Sequence, residues 1–345
     1  MAWLERYDPK AEAPFVLGQL LNRKDLKEPE AAKTISLALA WLESNGPKEE
    51  ARFVLGALLS RKEVKEPEAS KVISLAMAWL ERYGPKAEAL FILGQLFNRK
   101  DLKEPEAAKT ISLALAWLES NGPKDEARFV LAPLLSRKEV KEPESGKAIS
   151  LALTWLEKLG KNQIASYVIV PLLDRSGTEG AAIEEIENCA VLWLTRWNDI
   201  QDAGFVLIAW FNSSFIEAKR KLCVEAVARS WASKWKSVGA GGPALVIDLN
   251  LPAVSATERL KIICKAHSWV RIHRSHPCVS HVLTALLSQP DVGLDEAQAI
   301  IIVALDIAWH IGSLPLERAL RIGLGRLTNQ SQLRDEIEVC LAQAT

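Results

Sequence analysis

Tryptophan recurs in this chain with a fixed step. Trp3, Trp41, Trp79, Trp117, Trp155, Trp193, Trp231 and Trp269 stand 38 residues apart, and Trp309 follows after 40. A period of about 20–50 residues marks an array in which one supersecondary unit stacks on the next. The surrounding text repeats as well, as in AWLESNGPKEEARFVLGALLSRKEVKEPEASKVISLAM at 40–77. Units 2–39 and 78–115 differ at four positions only: Asp8/Gly84, Pro14/Leu90, Val16/Ile92 and Leu21/Phe97. Units 40–77 and 116–153 are near copies too, whereas the text after about 154 has drifted. The two extra residues before Trp309 are expected in the loop His273–His276. There Pro277 lies eight residues after Trp269, where Pro85 lies six after Trp79.

Each unit reads as a helical hairpin. In Pro47–Ser60 the residues Ala51, Phe53, Val54, Leu55, Leu58 and Leu59 follow helical spacing. Asn45-Gly46 supplies a break, and Pro47 suits a first helical turn, where its missing N–H costs nothing. The charged stretch Arg61–Glu66 reads as a connection. A second helix opens at Pro67 and runs through Trp79 to the break at Gly84. The patch ALVIDLNL at 244–251 is the one segment ambiguous between helix and strand.

A lone hairpin cannot bury its apolar face, so neighbours must cover it. The fold expected is therefore all-α, a right-handed α-solenoid of about nine 38-residue helix-turn-helix repeats. It would form one domain over 1–345, with near-identical repeats in 1–153 and diverged repeats plus a cap in 154–345. The repeated Trp is expected to fill the wedge between hairpins. The recurring small residues Gly18, Gly56, Gly94 and Ala132 are expected where helices approach closely. Residues 2–6 resemble the end of a second helix, so Met1 is expected to mark a cut in a longer polypeptide. The polar C-terminal helix Ser331–Ala342 is expected to act as a terminal cap.

Charge narrows the function classes. The 43 basic side chains match 43 acidic ones, and unit 2–39 alone is balanced. Tracking a phosphate backbone calls for a basic excess, so no nucleic-acid partner is expected. No apolar run reaches the length of a membrane span. Five cysteines without a paired framework point to a reducing, cytoplasmic setting. The pairs Arg23-Lys24, Arg61-Lys62, Arg99-Lys100 and Arg137-Lys138 sit beside acids, which reads as a solvated edge. Glu66, Glu68 and Lys71 read as ion partners on one helix face.

Few residues suggest chemistry. His276, Cys278 and His281 surround a helix start, but their spacing suits no single ion, and no metal or other cofactor is expected. Gly239–Pro243 lacks the Lys and hydroxyl of a phosphate-binding loop, and reads as a deformed hairpin start. No catalytic constellation can be assembled, so no enzyme is expected. Trp210 aligns with core Leu58 and reads as core. The position four after each repeated Trp runs Tyr7, Asn45, Tyr83, Asn121, Leu159, Trp197, Trp235, His273 and Ser313. Tyr83, Trp197, Trp235 and His273 are the partner-contact candidates there, aromatic side chains being favoured anchors. The competing reading is a local contact closing over the turn.

The repeated pattern WLxxxGPxxEAxFVLxxLLxRK resembles the α-solenoid superfamily of tetratricopeptide-like and HEAT-like repeats. It also resembles the C-terminal sensor solenoids of bacterial STAND-type NTPases. The resemblance implies an upstream NTPase module and a protein or ligand sensed by the repeats. The expected function is a non-enzymatic interaction or sensing module with a protein partner, using 154–345. Self-association through the exposed N-terminal end at Trp3 is a further expectation. The alternative is a structural spacer whose repeat number sets a distance.

Overall fold

The computed structural model describes residues 13–342 except 24, 27–28, 100, 138, 176–179, 236–240, 252–254, 312–315 and 328–330. Ile311 and Ser331 are described by their backbone alone. Trp3, Tyr7, Gly239, Ser313 and the N-terminal end lie outside the described residues. Contacts divide the chain into two compact units, Met1–Ile186 and Glu187–Thr345. Among the described residues the fold is all-α, without a strand.

In unit 1 short and long helices alternate. The short ones are α1 (Ala13–Asn22), α3 (Ala51–Ser60), α5 (Ala89–Asn98), α7 (Arg128–Ser136) and α9 (Ser166–Asp174). The long ones are α2 (Glu30–Asn45), α4 (Glu68–Tyr83), α6 (Glu104–Asn121) and α8 (Glu144–Leu159), with α10 (Ala181–Trp197) at the division. Each short helix packs on the next short one, from α1 through α9, and α4, α6 and α8 follow one another likewise. This is a stack of hairpins, the arrangement that lets each buried stripe be covered by its neighbours.

The buried faces follow from spacing. In α3 the residues Ala51, Val54, Leu55, Leu58 and Leu59 are buried, one apolar stripe of a 3.6-residue helix. In α4 the set is Ala69, Val72, Ile73, Ala76, Met77, Trp79 and Leu80. Helix α3 starts at Ala51 rather than Pro47: residues 47–50 form the turn that enters it.

Unit 2 repeats the alternation less regularly. Its short helices are α11 (Ala203–Asn212), α13 (Gly241–Asn250), α15 (Val279–Leu287) and α17 (Glu317–Arg326). Its long partners are α12 (Glu225–Trp235), α14 (Ala256–Ile272), α16 (Leu294–Ile311) and α18 (Ser331–Ala342). A short helix, Ala218–Lys221, precedes α12. Again α11, α13, α15 and α17 pack in succession. The ambiguous patch at 244–251 forms most of helix α13 and its end. Trp210 is fully buried in α11, as its alignment with Leu58 implies.

The expected insertion lies elsewhere. Helix α15 begins ten residues after Trp269, as α3 does after Trp41, so the His273–His276 turn has ordinary length. Gln289 still falls in register with Arg61, and the two extra residues therefore come between Gln289 and Trp309. Proline placement misled the count, because Pro277 stands nearer its helix than Pro85 does.

Candidate functional site

Two recurring side chains pin the repeats through backbone carbonyls, one within each hairpin and one between successive hairpins. The indole Nε1 of Trp79 donates to the Lys48 carbonyl at 2.9 Å, and Trp117 to Lys86 at 2.8 Å. Trp155 donates to Lys124 at 2.7 Å and Trp231 to Ile200 at 2.8 Å. Each acceptor lies 31 residues earlier, in the turn that enters the same hairpin. Each of these four Trp therefore ties its hairpin to that turn while its ring is buried. Trp41 and Trp269 are only half-buried, and Trp309 departs furthest, with 59% of its surface exposed.

The second tie is arginine. Arg61 donates to the carbonyls of Leu21 and Arg23 at 2.6 and 2.7 Å. Arg99 reaches the Val64 carbonyl at 3.0 Å, and Arg137 reaches Phe97 and Arg99 at 2.7 and 2.8 Å. Arg175 reaches Leu135 at 2.6 Å and Val140 at 2.7 Å, and also the Ser145 hydroxyl. These acceptors sit at the end of the preceding short helix or just after it, where carbonyls lack intrahelical partners and a cation meets the helix dipole favourably. The solvated-edge reading thus fails for Arg61 and Arg99, which are buried, while Arg23 is exposed as that reading expects. Their neighbouring acids pair with them: Arg99 with Asp101, and Arg61 with Glu63 at 3.8 Å. The Arg99 bond holds the Asp101 carboxyl below the usual carboxylate range.

The long helices of unit 1 carry a different ladder. Lys71 pairs with Glu43, Lys109 with Glu81 and Lys147 with Glu119, each reaching one hairpin back. The partners are therefore not the neighbours on one helix that spacing suggests. Glu66 instead accepts from the Ser70 hydroxyl at 2.6 Å.

The short helices face outward with rings. Phe15, Phe91, Phe129 and Tyr167 in unit 1 are between 48 and 61% exposed, and Phe53 is half-buried. All five share one register, 38 residues apart. Phe15 and Phe53 meet with ring centroids 4.2 Å apart. Arg52 lies over Phe53 at 4.6 Å and Arg128 over Phe129 at 4.4 Å, each a cation on a ring face. The only other exposed large apolar side chain described in unit 1 is Val16, next to Phe15. Reading Phe53 as part of the apolar face overlooked this stripe. Two residues after Ala51 is about 200° around a 3.6-residue helix, opposite the buried side. That angle, repeated at every unit, was the available signal. Phe205 continues the register in unit 2, where exposed apolar residues otherwise scatter over other elements, including Leu192, Leu260, Ile302 and Trp309.

The four contact candidates rest near their repeated Trp. Tyr83 is half-buried, its ring 5.2 Å from that of Trp79, with Lys86 at 5.2 Å from the ring. Trp235 stacks on Trp231 at 5.9 Å, and His273 is exposed 4.9 Å from Trp269. Trp197 is half-buried with Arg196 5.8 Å from its ring. Asn45 and Asn121 close the same turn by donating to the carbonyls of Trp41 and Trp117. Tyr83 belongs to unit 1 and the other three to unit 2, so no one unit gathers the four.

His276 accepts at Nδ1 from the Cys278 backbone N–H at 3.1 Å. Among the described residues no three His, Cys, Asp or Glu side chains converge as metal ligands would. The glycines of 239–243 have a packing role where described: a Cβ at Gly242 would lie 2.7 Å from the Trp269 ring. No helix among the described residues is long and apolar enough to cross a membrane.

No family model, curated protein or solved structure matches this chain.

Proposed function

We propose that the chain is a non-catalytic protein-interaction module, a right-handed α-solenoid of about nine repeats. Its contact surface in unit 1 is the outward face of the short helices. The observation that carries this reading is the exposed stripe of Phe15, Phe91, Phe129 and Tyr167. Neither the Trp ties nor the Arg ties use those side chains, so stacking leaves much of their surface in water. Large rings are favoured anchors in protein contacts, and contiguous exposed apolar surface marks such sites. The long helices of the same unit carry paired ions instead, which offer little binding energy. Tyr83, Trp197, Trp235 and His273 serve as secondary contacts, since the rings of Tyr83, Trp235 and His273 already engage their neighbouring Trp.

The resemblance of the repeats to sensor solenoids of STAND-type NTPases fits this reading: a sensed protein would dock on the stripe and an upstream module would respond. The test is quantitative crosslinking from source cells with wild type and a Phe91→Ser/Phe129→Ser/Tyr167→Ser variant. Partners lost from the variant while its helical content stays intact are expected. An unchanged partner set would overturn the assignment. If a Trp235→Ala/His273→Ala variant alone lost partners, the contact surface would lie in unit 2 instead.

A further inference from the structure

The ring stripe of unit 1 has a width, a step and a charge, and together they narrow what can lie on it. Phe15 and Phe53 lean together at 4.2 Å, whereas Phe91, Phe129 and Tyr167 stack on no other ring among the described residues. These three stand on the consecutive short helices α5, α7 and α9, which pack on one another. Packed helices lie about 8–10 Å apart, so the rings are set out at about that step. One turn further along, the flank is low, with Gly94 after Phe91 and Ala132 after Phe129. The face of α5 that carries Phe91 continues through half-buried Gln95 to exposed Asn98, two uncharged amides.

Most occupants fit this surface poorly. A stable pairing of two copies buries about 800 Å² a side. Phe15, Phe91, Phe129 and Tyr167, each about half exposed, offer only about 300–500 Å² of ring surface between them. Strand addition needs a sheet edge, and the described residues hold no strand. A phosphorylated or acidic motif calls for clustered arginines, but α3, α5 and α7 carry only Arg52 and Arg128, each already over a ring. An amphipathic helix repeats its face about every 10 Å, close to the step of the rings. It also lays down an apolar stripe roughly 100° wide, whereas the amides after Phe91 keep the apolar contact one ring wide.

We propose that the stripe docks a proline-rich segment in the polyproline II conformation, with a proline at every third residue meeting Phe91, Phe129 and Tyr167 in turn. Such a helix is narrow and rises about 3.1 Å per residue, so it brings the same edge round about every 9 Å. Its backbone offers carbonyls but few N–H groups, which complements the amide donors of Gln95 and Asn98. A nearly uncharged stripe suits a nearly uncharged segment, and one that is extended before it binds loses little freedom on docking. This rests on the stripe being the contact surface and adds the chemistry of what lies there.

The test measures, by fluorescence anisotropy, how labelled peptides of about twelve residues, or four turns, bind the full chain. One carries proline at every third position among alanine and serine. A second has the same residues shuffled so that the prolines fall out of step, and a third is an amphipathic helix former. The ordered peptide is expected to bind best, with the shuffled one at least about fivefold weaker. Phe91→Leu/Phe129→Leu/Tyr167→Leu keeps apolar side chains but removes the flat rings, and is expected to weaken the ordered peptide at least about tenfold. Circular dichroism checks that its helices persist, and the three single variants serve if the triple one does not fold. No binding of the ordered peptide, equal binding of the shuffled one, or tighter binding of the helix former would overturn the proline-rich assignment. The serine variant used in crosslinking separates the two claims. Partners lost from it while the ordered peptide fails would leave the stripe a docking surface for another class of segment, whereas unchanged partners and no peptide binding would overturn both.

Discussion

A glycine inside a helix costs about 1 kcal/mol against alanine, and the glycines of the short helices justify that cost unequally. At Gly18 a Cβ would stand 3.0 Å from the Phe53 carbonyl oxygen, a contact that keeps α1 close to α3. At Gly56 the nearest atom would be 3.8 Å away, on the flexible end of Ile92. Gly56→Ala should therefore raise stability by about 0.5–1 kcal/mol in urea unfolding, while Gly18→Ala gains nothing. At Gly204 the added carbon would lie 2.4 Å from the Trp231 ring, so Gly204→Ala should lose about 1–3 kcal/mol. His281 adds a pH effect of definite sign. Its folded-state basicity is lowered, so the unfolded chain binds the proton more readily and stability falls as pH drops below the ordinary histidine range of about 6.5. His281→Phe should flatten that fall in a pH series of thermal midpoints.

Between neighbouring helices the decisive groups are the buried guanidinium and the indole N–H. Arg175→Met would leave the Leu135 and Val140 carbonyls without their charged donor and should cost about 2–4 kcal/mol. Arg175→Lys should recover little, because one ammonium cannot span acceptors that a planar fork reaches together. Trp155→Phe keeps an aromatic ring but drops the bond to Lys124 and should cost about 1–2 kcal/mol in the same assay. The helices themselves were legible from spacing: the buried set of α3 is the expected one with Ala57 in place of Phe53, and the span of α18 matches. The Trp could be read as a packing anchor, but its hydrogen bond could not, since the acceptor is a backbone atom. The arginine ties were hidden for the same reason, and the adjacent acids made Arg61 and Arg99 look solvated. The stripe was hidden because an apolar residue in an apolar run was assigned to the core without its angle being read.

Along the full chain, neutrality comes from local pairing. Asp101 answers Arg99, and Glu81 answers Lys109, so the repeats copy balanced charge with each duplication. What varies is the outward face of the short helices: rings recur through unit 1, whereas in unit 2 the same register falls on Phe205, Pro243 and His281. A spacer needs only the ties, whereas a binding module needs the rings, and the repeat text allows the two to be separated. Deleting residues 40–115 joins residue 39 to residue 116 in register and removes Phe53 and Phe91 with their hairpins. A Phe53→Ser/Phe91→Ser variant removes the same rings at full length. The most direct measurement is the affinity of both variants for a partner captured by the wild-type chain. The account predicts that both bind at least about tenfold more weakly than wild type, as losing interface anchors implies. Wild-type affinity in the full-length serine variant would contradict it.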